Sequence, residues 1–370
     1  MRILLVTGSF PPMVCGVGDY TASLAGALAA QPDTHVGVLT SAGALPREPG
    51  EPFEVFPFIQ RWERDELPKV NELVRAWKPD VIHVQYPTQG YGTGALPWLL
   101  PLAMLRHRIP VVQTWHEFFP GVAHGPVWHW VHWTKYAIAL TPGDVVVVRP
   151  DYEKQISPRY RLLTRHKHFE LIPNAPAIPR AVLAPDERAE LRRRYSPDGR
   201  PLLVFFGFFF EHKGIDDLLE IMDPARHRLV LVGEVKKSDP YQVALVERIR
   251  REPFAGTVVM TGFLPAPEVA AVLAAADAVV MPLRTGAGSW NTSLQAAILQ
   301  GTFTLTTSVE RHGYDPGHNV YYARPGDTAD LKQALEMYLG RRNPRAERED
   351  LLPTWPEIAK RHLSLYARHL

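Results

Sequence analysis

The stretch Ala278-Val279-Val280-Met281-Pro282-Leu283-Arg284-Thr285-Gly286-Ala287-Gly288-Ser289-Trp290-Asn291-Thr292-Ser293-Leu294-Gln295-Ala296 reads as three pieces in a row. Four apolar residues form a strand buried on both faces. A glycine-rich loop follows, and then a helix whose first turn carries Asn, Thr and Ser. A plain capped helix needs one such residue. A run of small and polar residues at a helix start is suited to an anion, because free backbone N–H groups point at it. Gly288, Ser289, Asn291, Thr292, Ser293 and Gln295 are therefore candidate binding residues. Outward from this unit the same rhythm repeats. Short apolar runs are predicted as strands over Ile3–Thr7, Val36–Thr40, Val81–Gln85, Val111–Thr114, Val145–Val148 and Phe169–Ile172. A second series covers Leu202–Phe206, Leu229–Val232, Val258–Thr261, Ala278–Met281 and Thr302–Thr306, with helical patterns such as Ala22–Ala29, Tyr241–Arg251 and Leu331–Leu339 between strands. Alternation of strand and helix predicts α/β architecture with doubly wound parallel sheets. Pro179, Pro185 and Pro197 interrupt the rhythm around an Arg/Glu-rich helical piece, as a linker does. Two Rossmann-like domains are expected.

The 370 residues agree with two domains at ~150 residues each. Apolar residues make up 46% and charged residues 22%, which excludes disordered, collagenous and coiled-coil classes. The net charge of +2 is too small for a nucleic-acid-binding field. One cysteine, Cys15, excludes an internal disulfide and fits a reducing, cytoplasmic setting. No apolar run reaches the ~20 residues of a membrane span.

In open α/β sheets ligands sit beyond the carboxyl ends of strands. After the first strand, Gly16 and Gly18 lie in Cys15-Gly16-Val17-Gly18-Asp19-Tyr20 and are placed to let backbone approach an anion. The dinucleotide fingerprint is absent, and Val36–Thr40 ends without an acidic residue, so a nicotinamide dehydrogenase is disfavoured. Tyr86-Pro87-Thr88-Gln89-Gly90-Tyr91 and Trp115-His116-Glu117 put aromatic and hydrogen-bonding groups at two strand ends, where a sugar-sized ligand stacks and bonds. Lys213-Gly214 opens a helix after Leu202–Phe206 and offers a phosphate a charge and free N–H groups. His129 and His132 lack a third ligand and read as part of an aromatic helix, not a metal pair. Lys135 and the basic run Arg161–His168 read either as a solvated face or as a peripheral membrane contact.

With these motifs in place, the sequence resembles the GT-B retaining glycosyltransferases, in particular family 4. The resemblance rests on Ser9-Phe10-Pro11-Pro12 with Cys15–Tyr20, Val84-Gln85-Tyr86-Pro87, Thr114-Trp115-His116-Glu117, Ile172-Pro173-Asn174, Gly207–Gly214, Gly262-Phe263-Leu264, Ala276-Asp277 and Gln295–Gly301. Their order and spacing together are specific. The resemblance implies two facing Rossmann-like domains: 1–178 for the acceptor, 179–352 for a nucleotide-diphospho-sugar donor, and a helix, 353–370, packing back on the first. It implies donor-binding roles for Gly16, Gly18, Asn174, Phe263, Arg284 and the loop residues named above. Acceptor-binding roles fall on Tyr86, Tyr91 and Trp115. His116 would line the donor sugar, Lys213 would neutralise the leaving diphosphate, and Glu117 is an alternative base. Two departures stand out. The two donor-loop glutamates of the family are Ala287 and Gln295 here, and the arginine after the phosphate-loop glycine is Phe208. Arg284 is the candidate to replace that lost charge. No Asp-x-Asp pair occurs, so metal-independent transfer to a glycan, a lipid-linked acceptor or a small metabolite is expected, with no cofactor besides the nucleotide-sugar. The alternative is a GT-B protein that binds nucleotide or glycan without transferring it.

Overall fold

The computed structural model describes all residues except 45–51, 117–140, 151–157 and 344–350. The chain forms two compact units, Met1–Asn174 with Thr354–Leu370, and Ala175–Pro353. Each is built on a seven-stranded sheet.

In unit 1 the sheet order is β3-β2-β1-β4-β5-β6-β7, from β1 (Arg2–Val6), β2 (His35–Ser41), β3 (Glu54–Ile59), β4 (Val81–Tyr86), β5 (Val111–Trp115), β6 (Val145–Val147) and β7 (Phe169–Leu171). All neighbours pair in parallel. β3 has no counterpart among the predicted strands. Pro57 interrupts its apolar run, and proline is tolerated there because the strand lies at the sheet edge. On β4, Ile82 and Val84 face one core together with α2 (Leu67–Trp77) and α3 (Leu96–Met104). His83 and Gln85 therefore point to the opposite layer, since side chains alternate along a strand. That layer holds α1 (Gly16–Ala29) and the C-terminal helix Trp355–Tyr366. The Thr354 hydroxyl and backbone N–H both donate to Glu357, which starts that helix firmly.

α1 begins at Gly16, six residues before the expected start, because Gly18, Tyr20, Thr21, Leu24, Ala25 and Leu28 form one continuous buried stripe.

In unit 2 the order is β10-β9-β8-β11-β12-β14-β13. The central strands are β8 (Leu202–Phe206), β9 (Arg228–Val232), β11 (Ala278–Met281) and β12 (Thr304–Thr307), with β10 (Val258–Gly262) at one edge. At the other edge β13 (Gly313–Asp315) pairs antiparallel with β14 (Val320–Ala323), a hairpin absent from the sequence reading. The expected linker contains a helix, Pro185–Tyr195, that belongs to unit 2. Its Arg192 pairs with Asp277 at 2.8 Å, and Tyr195 enters the core.

Candidate functional site

The parallel strands switch order between β1 and β4 in unit 1 and between β8 and β11 in unit 2. The loops that leave these strand pairs frame the places where α/β sheets hold ligands.

In unit 1 the loops after β1 and β4 are knit together. The Ser9 hydroxyl accepts from the Gly90 N–H at 2.8 Å, and the Thr7 hydroxyl donates to the Ser9 carbonyl at 2.8 Å. A Cβ on Gly90 would lie 1.7 Å from the Gly8 carbonyl oxygen. Backbone cannot yield as a flexible side chain does, so Gly90→Ala is expected to destabilise unit 1 by about 2–3 kcal/mol in urea unfolding. A Cβ on Gly18 would lie 2.9 Å from the Ser9 carbonyl, which explains that glycine by packing. Gly16 and Gly18 lie in the first turn of α1 with ordinary helical backbone.

The strand-end aromatics divide. Tyr91 is buried, donates its hydroxyl to the Val6 carbonyl at 2.9 Å and packs edge-on against Trp62. Trp115 is wholly buried, with its indole N–H on Gln113 at 3.1 Å. Both fill the core and cannot meet an acceptor, so their expected roles are corrected. Large aromatic area favours burial even at a strand end. Tyr86 is half-buried against Trp98 at 4.1 Å and lies on that same aromatic cluster. Glu117 lies outside the described residues. Asn174 is buried at the end of unit 1.

His116 follows β5 and is partly exposed. Its backbone N–H continues the sheet ladder onto the Tyr86 carbonyl at 2.8 Å. Its Nε2 meets Gln85 Oε1 at 2.9 Å, and its ring packs edge-to-face on Tyr20 at 4.6 Å. Loss of hydration around the ring pushes its pKa down to about 3, assisted by repulsion from His362. It is a neutral imidazole at working pH. Behind it, His83 bonds Thr114 at 2.7 Å and Tyr366 of the C-terminal helix at 2.5 Å. Gln85, His83, Tyr20 and Tyr366 were not singled out in the sequence. Only the alternation His83-Val84-Gln85 on a buried strand signalled a polar face.

In unit 2 the loops after β8 and β11 lie side by side. Gly214 adopts a left-handed conformation (φ +72°), and a Cβ there would fall 1.9 Å from the Pro282 carbonyl. The Arg284 N–H donates to the His212 carbonyl at 2.9 Å. A Cβ on Gly207 would stand 3.4 Å from the Ser293 hydroxyl, so the start of the helix Thr292–Leu299 sits directly beside the loop that leaves β8. Lys213 ends the short turn Glu211–Lys213 in that loop. Phe208, in place of the arginine, lies against Phe210, which stacks on His212.

Several expected donor contacts are otherwise engaged. Asn291 is the helix cap and accepts from the Leu294 N–H at 3.0 Å. Gln295 is buried and donates its amide to the Ser289 carbonyl at 2.7 Å, which ties the loop to its helix. Ala287 is buried in the loop, its N–H on the Thr307 carbonyl. The Trp290 indole lies against Gly288. Arg284 pairs with Glu211 at 3.1 Å and Asp217 at 3.4 Å, so its charge is compensated locally and does not replace the lost arginine. Phe263 is 70% exposed at the end of β10, an open aromatic face of the kind a base stacks on. Among the described residues no three His, Cys, Asp or Glu side chains converge as metal ligands. No described helix is long and apolar enough to cross a membrane.

Residues 14–175 match the profile of Glycosyltransferase Family 4, and residues 200–341 match that of Glycosyl transferases group 1. The chain belongs to the GT-B, family 4-like glycosyltransferases. Its relatives include a GDP-mannose-dependent alpha-mannosyltransferase of Mycobacterium tuberculosis, 25% identical over 76% of this chain and 72% of that protein. A GDP-mannose-dependent alpha-(1-6)-phosphatidylinositol monomannoside mannosyltransferase of Mycolicibacterium smegmatis is 27% identical over 77% and 74%. The fold matches sucrose-phosphate synthase of Thermosynechococcus elongatus over 100% of this chain and 98% of that one, with a TM-score of 0.73 at 20% identity. HepE of Anabaena in complex with UDP and glucose matches with a TM-score of 0.64 at 16% identity, covering 100% of this chain and 95% of that one. This GT-B protein is thus a glycosyltransferase of the nucleotide-sugar-using kind.

Proposed function

We propose that the chain transfers a hexosyl group from a nucleoside-diphospho-sugar to an acceptor hydroxyl with retention of configuration and without a metal ion. The observation that carries this reading is the close join of two loops in unit 2. It sets Lys213 and the start of the helix Thr292–Leu299 around the end of β8. Breaking the anomeric C–O bond builds charge on the departing diphosphate. A lysine ammonium and N–H groups at a helix start oppose that charge without a metal. Phe263 is the proposed stacking face for the base. In unit 1 neutral His116 takes a hydrogen bond from a sugar hydroxyl. Retention follows if the acceptor attacks on the face from which the diphosphate leaves, with the acceptor proton passing to the diphosphate.

GDP-mannose is the first donor to test, because both mycobacterial relatives are named for it. Acceptors of the glycan and lipid-linked kinds belong to the same reading. A peripheral membrane contact is proposed at exposed Leu162 and Leu163, which lie between basic Arg161 and Arg165. A second reading, nucleotide binding without transfer, is favoured by Ala287 and Gln295, which face into the donor loop. Incubation with anomerically labelled GDP-mannose in excess EDTA decides between them. We expect GDP release and an α-configured product seen by NMR. Full dependence on added metal, or a β-configured product, contradicts the mechanism, and tight nucleotide binding with no turnover favours the second reading.

A further inference from the structure

We propose that Gln85 is a positioning residue that fixes the proton of His116 on Nε2 and thereby presents Nδ1 as the ring's acceptor. The inference deepens the sugar-binding role of His116 and rests on that reading. Gln85 pairs with Thr114 across β4 and β5, and His116 lies two residues further along the same face. The Gln85 carboxamide is wholly buried, with Oε1 2.9 Å from His116 Nε2. A carbonyl oxygen only accepts, so Nε2 must donate. In a neutral ring the lone pair is then on Nδ1.

Chemistry also explains the residue type. The Gln85 amide nitrogen is buried with no hydrogen-bond partner. An unsatisfied buried donor is costly, and a leucine would avoid it. A glutamine kept only for packing has no reason to be there. A carboxylate would satisfy His116 equally well but would hold it as imidazolium. The neutral amide is the partner that orients the ring without charging it. The surroundings agree. Among the described residues, titratable groups set against the ring are Tyr20 from α1, His83 from β4 and His362 from the C-terminal helix. None of these three carries a fixed negative charge.

The test has two arms. In the first, 15N-labelled histidine NMR of the full chain reads the His116 tautomer without any substrate. We expect the Nε2–H form from pH 5 to 8 in the wild type. Gln85→Glu should shift its titration upward. In the second arm, kcat/KM for Gln85→Glu should fall about tenfold between pH 8 and pH 6, while the wild type shows no such limb. Gln85→Leu keeps the shape and should lower kcat more than KM with little change in Tm. An Nδ1–H tautomer in the wild type overturns the proposal, as does a Gln85→Glu pH profile identical to wild type. Loss of Tm in Gln85→Leu with unchanged kcat in the folded fraction assigns Gln85 to packing alone. If wild-type protein transfers no sugar at all, the glycosyl-transfer reading fails, and the NMR arm still decides the tautomer.

Discussion

Lys213→Ala is expected to lower kcat by about 10²–10³, the size of effect that follows removal of one preorganised charge-stabilising donor. Arg284 is tied to Glu211 and Asp217, and Phe208 stands where an arginine would have helped. The proposed function assigns the Lys213 ammonium, at the end of the turn Glu211–Lys213, to the diphosphate. Lys213→Arg should retain part of the rate, since charge is kept while its shape changes. Steady-state kinetics with the native donor checks both variants. A Lys213→Ala enzyme within threefold of wild-type kcat refutes the assignment. Arg284→Ala makes the complementary control: its guanidinium is spent on neighbouring acids, so its loss should cost far less turnover.

The second large effect is on stability against pH. His83 and His362 are buried in unit 1 and His116 is partly exposed, and loss of hydration holds all three below the ordinary histidine pKa, His116 to about 3 and His362 to about 4. In the unfolded chain each titrates near 6.5. Between these limits the unfolded chain binds more protons than the folded one, so stability rises with pH. The stabilisation is complete above about pH 6.5 and is lost as pH falls toward the folded values. Each proton withheld costs about 1.4 kcal/mol per pH unit, so three such groups set a steep slope below pH 6. Asp19 works in the opposite direction, with its carboxyl raised to about 6 by burial, and it offsets part of that slope. Unfolding free energies from urea curves measured from pH 8 to 4.5 should therefore fall by several kcal/mol. His362→Leu should flatten the curve below pH 6, because His362 contributes no bond across the layer beyond its own helix, where Nδ1 meets the Ile358 carbonyl at 2.8 Å. A wild-type stability that is level from pH 7 to 5 contradicts the account.

What the sequence disclosed, and what it withheld, follows from the range of the interactions. Runs such as Leu202–Phe206 and Ala278–Met281 are predicted to within a residue, because double burial demands continuous apolar side chains and leaves a local trace. Helix starts are weaker signals. α1 extends to Gly16 because glycines are tolerated where helix and loop touch, as Gly18 touches Ser9. Edge strands carry little burial and so little pattern, which is why Glu54–Ile59 with its proline and the short Gly313–Asp315 escaped. For the site, residue type was visible but partnership was not. Arg284 reads as a free cation until Glu211 and Asp217, some seventy positions away, are seen against it. Tyr91 and Trp115 read as stacking surfaces until the core claims them. His83 meets Tyr366 across 283 positions of sequence, and no local pattern reports that pair.

The central claim is that unit 2 holds a nucleoside diphosphate between Lys213 and the helix start at Thr292 without a metal. Thermal unfolding of the wild type and of Lys213→Ala with GDP, UDP, ADP and TDP and their sugar conjugates, all in EDTA, tests it directly. A ligand at a hundredfold excess over its Kd stabilises the folded state by ~2.7 kcal/mol. The account predicts that one nucleoside diphosphate and its sugar raise the wild-type Tm in EDTA and that Lys213→Ala loses most of the shift. No shift with any nucleotide, or an equal shift in the variant, contradicts it.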